Sequence, residues 1–139
     1  MTATFLDTSF LLALTSPKDS LHRHALGWQK ALTGSLITTE FILLEVADGF
    51  ASRKASSVAC ILIDYLRAAP GTTIVPADAG WVAKGYQLFC SRLDKNWTLT
   101  DCISFEVMRT MGITDALTHD RHFEQAGFRA LLREDPPNN

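Results

Sequence analysis

A chain of 139 residues, 47% hydrophobic and 20% charged, has room for one domain with a proper core and not for two comfortable ones. That balance is globular and not that of a disordered chain, and a formal net charge of −2 supplies no overall basic field to advertise nucleic acid. No apolar run approaches the roughly 20 residues that span a bilayer. The start lacks a basic segment and a small-residue cleavage site, so a cytoplasmic protein without a membrane partner is expected. Cys60, Cys90 and Cys102 are widely spaced and form no C-x-x-C pair, which suits reduced, mostly buried thiols better than a disulfide framework or a zinc site.

In chain order, "TATFL" reads as a first strand ending at Asp7, and Ser9 to Leu14 as a short helix that stops near Pro17. "SLHRHALGWQKAL" places Leu21, Ala25, Trp28 and Leu32 at i, i+4, i+7 and i+11, an amphipathic helix with Asp19 or Ser20 as its cap. "SLITT" is a second strand, and "EFILLEVADGFA" a helix opened by a threonine cap. "SVACILIDYLRAA" is a helix ended by the Pro70-Gly71 turn, and "TTIVPA" a β-branched third strand. Helical segments follow from Asp78 to Leu93 and over "LTDCISFEVMRTMG", the second closed by Gly112. "ITDALTH" reads as a fourth strand, "DRHFEQAG" as a short helix and "FRALL" as a fifth strand. Residues 1–133 thus form one domain, and 134–139, within "REDPPNN", a polar tail expected to fray or to serve only partner contacts.

Strands alternating with helices imply an α/β three-layer sandwich around a mostly parallel sheet of four to five strands. In such sheets ligands bind outside the carboxyl ends of the strands, where strand order reverses. Four acids bear on that place. Asp7 follows the first strand, Asp120 the fourth, Asp101 lies in the first turn of a helix, and Glu45 interrupts the apolar run "FILLEVADGF". Asp7, Asp101 and Asp120 could each merely cap or complement a helix start. Glu45 is either on an exposed stripe with Asp48 or turned toward something that compensates it. As a set they exceed what capping requires. Carboxylates gathered within about 5 Å repel by ~3 kcal/mol per pair at an effective dielectric of 20, so the cluster needs a cation or some protons. Mg²⁺ or Mn²⁺ suits oxygen ligands and the hydrolysis of a phosphodiester.

Four blocks, "FLDTSFLLAL", "TTEFILLEVA", "WTLTDCISFEVMRTMGI" and "ALTHDRHFEQAGFRALL", make the chain resemble a PIN-domain ribonuclease of the VapC type, the toxin of bacterial toxin–antitoxin pairs. The resemblance covers residues 3–132 and is most specific in its late part. It implies a metal-dependent RNA endonuclease with Asp7, Glu45, Asp101 and Asp120 as catalytic and metal-holding acids. It also implies Ser9 and Thr100 as hydroxyls supporting the first and third of them, an antitoxin partner, and a homodimer. A stand-alone RNA-processing or RNA-decay nuclease would look much the same, and a non-catalytic interaction module whose acids only cap helices is the alternative of another class.

The remaining polar residues carry plainer expectations. His22 and His24 point to different faces of one helix and share no metal. His119 and His122 flank Asp120 and read as local surface residues, with contact to substrate or metal as the alternative. Arg53 and Lys54 are candidates for an RNA backbone, simple solvation being the ordinary explanation. Trp28, Trp81 and Trp97 read as packing residues.

Overall fold

Each strand ends within a few residues of a polar turn and hands the chain to a helix, so the sheet is built from crossovers and not from hairpins. The computed structural model describes residues 2–137. The strands are β1 (Thr4–Leu6), β2 (Leu36–Thr39), β3 (Thr72–Val75), β4 (Asp115–Leu117) and β5 (Arg129–Ala130). The helices are α1 (Thr8–Thr15), α2 (His22–Ala31), α3 (Glu40–Ser52), α4 (Ser56–Ala68), α5 (Ala79–Ser91), α6 (Leu99–Met111) and α7 (Arg121–Gln125), with a 3-10 turn at Leu131–Arg133.

All pairings are parallel and the order is β3-β2-β1-β4-β5, as an α/β sandwich requires. Thr4 stands opposite Leu36 on one side and Asp115 on the other. The chain therefore builds outward from β1 to β3, then returns to start the other half at β4. The order reverses between β1 and β4, and the crevice there opens at the carboxyl ends of those two strands. β1 is buried along its whole length, as a central parallel strand should be. Thr38 of β2 donates its hydroxyl to the Leu6 carbonyl at 2.9 Å, which satisfies the end of β1 just before the chain turns.

Caps define most helix starts. The Thr39 hydroxyl accepts the Ile42 N–H at 3.1 Å, and the Asp78 carboxylate accepts that of Trp81 at 2.9 Å. Neither Asp19 nor Ser20 is the cap of α2: that position falls on Leu21, whose own N–H bonds the Asp19 carboxylate at 2.9 Å. Gly112 closes α6 with φ of +68°, and Gly71, with φ of +78°, turns the chain between α4 and β3. Two expectations are corrected. Cys60 and Cys90 are exposed on the outer faces of α4 and α5, and only Cys102 is buried. The tail is not frayed at its start. The Glu134 carbonyl accepts from Trp28 Nε1 at 3.0 Å, and Pro136 lies over Gly27 of α2. Residues 138 and 139 fall outside the described part.

The two helix groups, α1 to α4 and α5 to α7, pack among themselves beside the sheet. The α5–α6 contact depends on a missing side chain. A Cβ at Gly85 would lie 2.4 Å from Ile103 Cγ1 and 3.0 Å from the Ile103 backbone nitrogen. At Gly49 of α3 the nearest atom would be Leu12 Cδ2, at an ordinary 3.6 Å. Opposite outcomes follow for one chemical change. Gly85→Ala lowers stability by about 1–3 kcal/mol through overpacking against backbone that cannot yield. Gly49→Ala raises it by about 0.5–1 kcal/mol through helix propensity. Urea melts of the two variants check both signs.

Candidate active site

The crevice between β1 and β4 collects side chains from four places in the chain. Asp7 leaves β1 with its N–H still donating to the Leu117 carbonyl at 3.2 Å, so its backbone remains part of the sheet. It precedes α1, yet its side chain makes no capping bond. Its Oδ2 instead accepts the Thr118 hydroxyl at 2.7 Å, with Ser9 Oγ at 3.4 Å. Thr118, fully buried just beyond β4, also accepts the Asp120 N–H at 3.0 Å. One hydroxyl thus ties Asp7 to the backbone of Asp120. Ser9 Oγ also accepts the His119 N–H at 3.1 Å, which ties the same two segments together.

Glu45 comes from the middle of α3. It is half-buried, and its Oε1 accepts the Thr8 hydroxyl at 2.6 Å. The exposed-stripe reading fails for Glu45, although Asp48 is exposed. Asp101 closes a capping box at the start of α6: its N–H donates to Thr98 Oγ1 and its Oδ2 accepts the Thr98 N–H, both at 3.0 Å. Asp120 caps α7 by accepting the His122 N–H on Oδ1 at 2.9 Å. Capping therefore accounts for one oxygen of Asp101 and one of Asp120, and for nothing at Asp7. Oδ1 of Asp101 and Oδ2 of Asp120 have no protein partner among the described residues.

The four acids line one open cleft of about 290 Å³, with Thr8, Ser9, Thr98, His122 and the apolar Leu12. Two residues depart from expectation. Thr98, not Thr100, is the hydroxyl bound to Asp101, and Thr100 is absent from the cleft wall. His122 is no mere surface residue, because its Nδ1 stands 2.9 Å from Asp101 Oδ2 and 3.4 Å from Asp120 Oδ1. Its signal in the sequence was the Asp-x-His spacing, in which the residue capped by an Asp side chain carries its own ring back over that carboxylate. Arg53 and Lys54 lie exposed at the carboxyl end of α3, about 12 Å along the helix from Glu45, outside the cleft. His22 and His24 bond the Ala13 and Glu134 carbonyls, at 2.8 and 2.6 Å. Trp28 and Trp97 are buried, and Trp81 is half-buried beneath Lys84.

Electrostatics set Asp7 apart. Burial pushes its carboxyl up to about 7, the Thr118 hydrogen bond opposes this, and the charges of Asp101 and Glu45 add to the rise. Glu45 is also raised, by burial first, against the Thr8 hydrogen bond. Oxygen atoms of Asp101 and Asp120 and a ring nitrogen of His122 lie within 4.8 Å of one another. These donors fit a divalent cation, whose charge would offset both the desolvation and the mutual repulsion.

Fold and cleft define a class: a parallel α/β domain that gathers carboxylates at its switch point, with a donor set for a hard cation. The chain belongs to the PIN domain family, whose sequence profile matches residues 4–129. Among solved structures it is similar to VapC20 of Mycobacterium tuberculosis, a toxin that cleaves the sarcin-ricin loop. The TM-score is 0.84 at 24% identity, over 90% of this chain and 95% of that one. It is also similar to FitAcB of Neisseria gonorrhoeae, with a TM-score of 0.66 at 19% identity over 91% and 94% of the two chains. No curated protein sequence matches it significantly. Among the described residues no helix is long and apolar enough to cross a membrane.

Proposed function

We propose that this chain is a Mg²⁺- or Mn²⁺-dependent RNA endonuclease and the toxin of a type II toxin–antitoxin pair. The observation that carries the reading is the meeting of Asp7, Glu45, Asp101 and Asp120 in one cleft at the sheet's reversal point. A non-catalytic module needs only the caps supplied by Asp101 and Asp120. It gives no reason to bury Asp7, which caps nothing, or to hold Glu45 at the cleft wall.

Asp7, Asp101 and Asp120 would hold the ion, with Glu45 beside them. The ion, when bound, supplies charge neutralisation at the phosphodiester and acidifies water. Thr118 and Ser9 fix the Asp7 carboxylate, and the capping box fixes Asp101, so the acids are in place before substrate arrives. Thr8 occupies Oε1 of Glu45 and leaves Oε2 for the proton of the attacking water, whose oxygen bonds to phosphorus as the opposite P–O bond breaks. Among the described residues no lysine or arginine lines the cleft, so contact with the flanking RNA backbone falls to cations outside it, Arg53 and Lys54 among them.

An antitoxin is the proposed partner. The likeness to VapC20 and FitAcB supports it, as do the exposed apolar side chains of Ile61 and Tyr65 on α4. The proposed homodimer has candidate surface in the exposed side chains of Leu44 on α3, Tyr86 on α5 and Leu93 just past the end of α5. The nuclease reading is tested with purified protein and a structured RNA. Cleavage should require Mn²⁺ or Mg²⁺ and stop with EDTA. Asp101→Asn, which keeps a cap acceptor, should cut at least about 100-fold more slowly with an unchanged circular dichroism spectrum. Equal rates for the variant and wild type would sink the reading.

A further inference from the structure

We propose that His122 is a direct ligand of the divalent ion, so that the centre is a mixed imidazole–carboxylate site favouring Mn²⁺ and its transition-metal neighbours over Mg²⁺. The inference rests on the metal reading of the acids above and adds a residue and a selectivity to it. Donor atoms at right angles around an ion, with bonds of about 2.1 Å, stand about 3 Å apart. His122 Nδ1 already stands 2.9 Å from Asp101 Oδ2 and 3.4 Å from Asp120 Oδ1. All three are members of the group whose donor atoms fall within 4.8 Å.

The backbone that carries the ring is held in that place from two sides. The His122 N–H is bonded to Asp120 Oδ1 at 2.9 Å, which fixes the first turn of α7. The next residue, Phe123, is fully buried and packs edge-on against Phe105 of α6 with ring centroids 5.0 Å apart. Sliding His122 away from Asp101 would require moving a core phenylalanine. Without an ion, Nδ1–H donates to the Asp101 carboxylate and keeps it oriented. As a ligand, Nδ1 presents its lone pair, and the ring proton sits on Nε2. An imidazole nitrogen is a softer donor than carboxylate, water or phosphate oxygen, and Mg²⁺ accepts it poorly. Selectivity between ions is therefore the property that His122 contributes, beyond the charge that the acids supply.

Pulsed EPR of Mn²⁺ bound to the full chain tests this directly. Wild type should show nitrogen coupling that changes when histidine is ¹⁵N-labelled. The coupling should vanish in His122→Asn and persist in His119→Asn. Titration calorimetry should show Mn²⁺ affinity falling about tenfold or more in His122→Asn, with Mg²⁺ affinity changed less than about threefold. Mn²⁺ bound without histidine nitrogen coupling, and lost in Asp101→Asn, would overturn the His122 ligand while leaving the acidic centre standing. Mn²⁺ binding indifferent to Asp101→Asn would overturn both. If the His122 variant fails to fold, absence of coupling in labelled wild type still overturns the proposal, and coupling that persists in His119→Asn supports it.

Discussion

At pH 8 and without divalent metal, Asp7→Asn should melt several degrees above wild type, and with Mn²⁺ supplied it should cut RNA at least about 100-fold more slowly. Burial pushes the folded Asp7 carboxyl up to about 7 from an ordinary 3.8. Between those values the folded protein holds a proton that the unfolded chain has released. The neutral acid's contribution is therefore fully present below pH 3.8 and is lost as pH rises through about 7. The loss amounts to ~4 kcal/mol at the upper limit, a large share of a small domain's ~5–15 kcal/mol. Asn has nearly the same shape, stays neutral, and its carbonyl still accepts the Thr118 hydroxyl.

The two proteins should accordingly converge near pH 4 and separate as pH rises. Glu45 is raised in the same direction, so the variant keeps a shallower slope of its own. Mn²⁺ at pH 8 should raise the melting temperature of wild type and act much less on the variant, because a cation relieves only a charge that is present. Melting curves from pH 4 to 8, with and without Mn²⁺, provide the measurement. A variant less stable than wild type at pH 8 would show that Asp7 is held ionised for a structural purpose.

Local pattern carried much of this site, and long-range pairing carried what the pattern missed. The strand and helix types were legible because alternation of apolar runs with capped amphipathic segments constrains them. The order β3-β2-β1-β4-β5 is a property of pairings between distant segments, and no local spacing reports it. Asp7 was ambiguous between cap and ligand because both place an acid after a strand. Only the direction of its side chain, toward Thr118 over a hundred residues away, separates them. Asp101 and Asp120 were ambiguous for a different reason, since they do both. The Thr98-x-x-Asp101 capping box is readable in "TLTD", whereas the resemblance implies the nearby Thr100. For His122 the sequence alone leaves local surface placement ahead of contact with substrate or metal, because a histidine flanking an acid is ordinarily solvated. What places it is the burial of Phe123, a tertiary fact. The cysteines fail as burial markers because α4 and α5 turn one face each to solvent.

Phe105→Ala should cost about 3–5 kcal/mol and disturb the proposed metal-binding group before it unfolds the domain. Phe105 is fully buried on α6, one helical turn below Asp101. Its ring lies edge-on to Trp97 at 5.1 Å and to Phe123 at 5.0 Å, and 5.7 Å from Phe128. Asp101 rides on α6, while Asp120 and His122 ride on the turn that Phe123 anchors. The Phe105–Phe123 contact is thus the packing that sets the distance between the two halves of the donor group. Trp97 adds a second tie, donating Nε1–H to Gln125 Oε1 at 3.0 Å, and its ring would lose its floor as well. Removing the ring leaves a cavity that α6 and α7 can partly fill only by shifting toward each other, which changes the Asp101–His122 spacing. Phe105→Leu refills most of the volume and should lose less than half as much stability. Phe89→Ala, on the solvent side of α5 at 36% exposure, should cost under about 1 kcal/mol. Denaturant melts rank the three. Mn²⁺ affinity measured well below the melting temperature then separates spacing from stability: it should fall in Phe105→Ala and hold in Phe89→Ala. Unchanged affinity in a folded Phe105→Ala protein would show that the donors keep their positions without the aromatic contact.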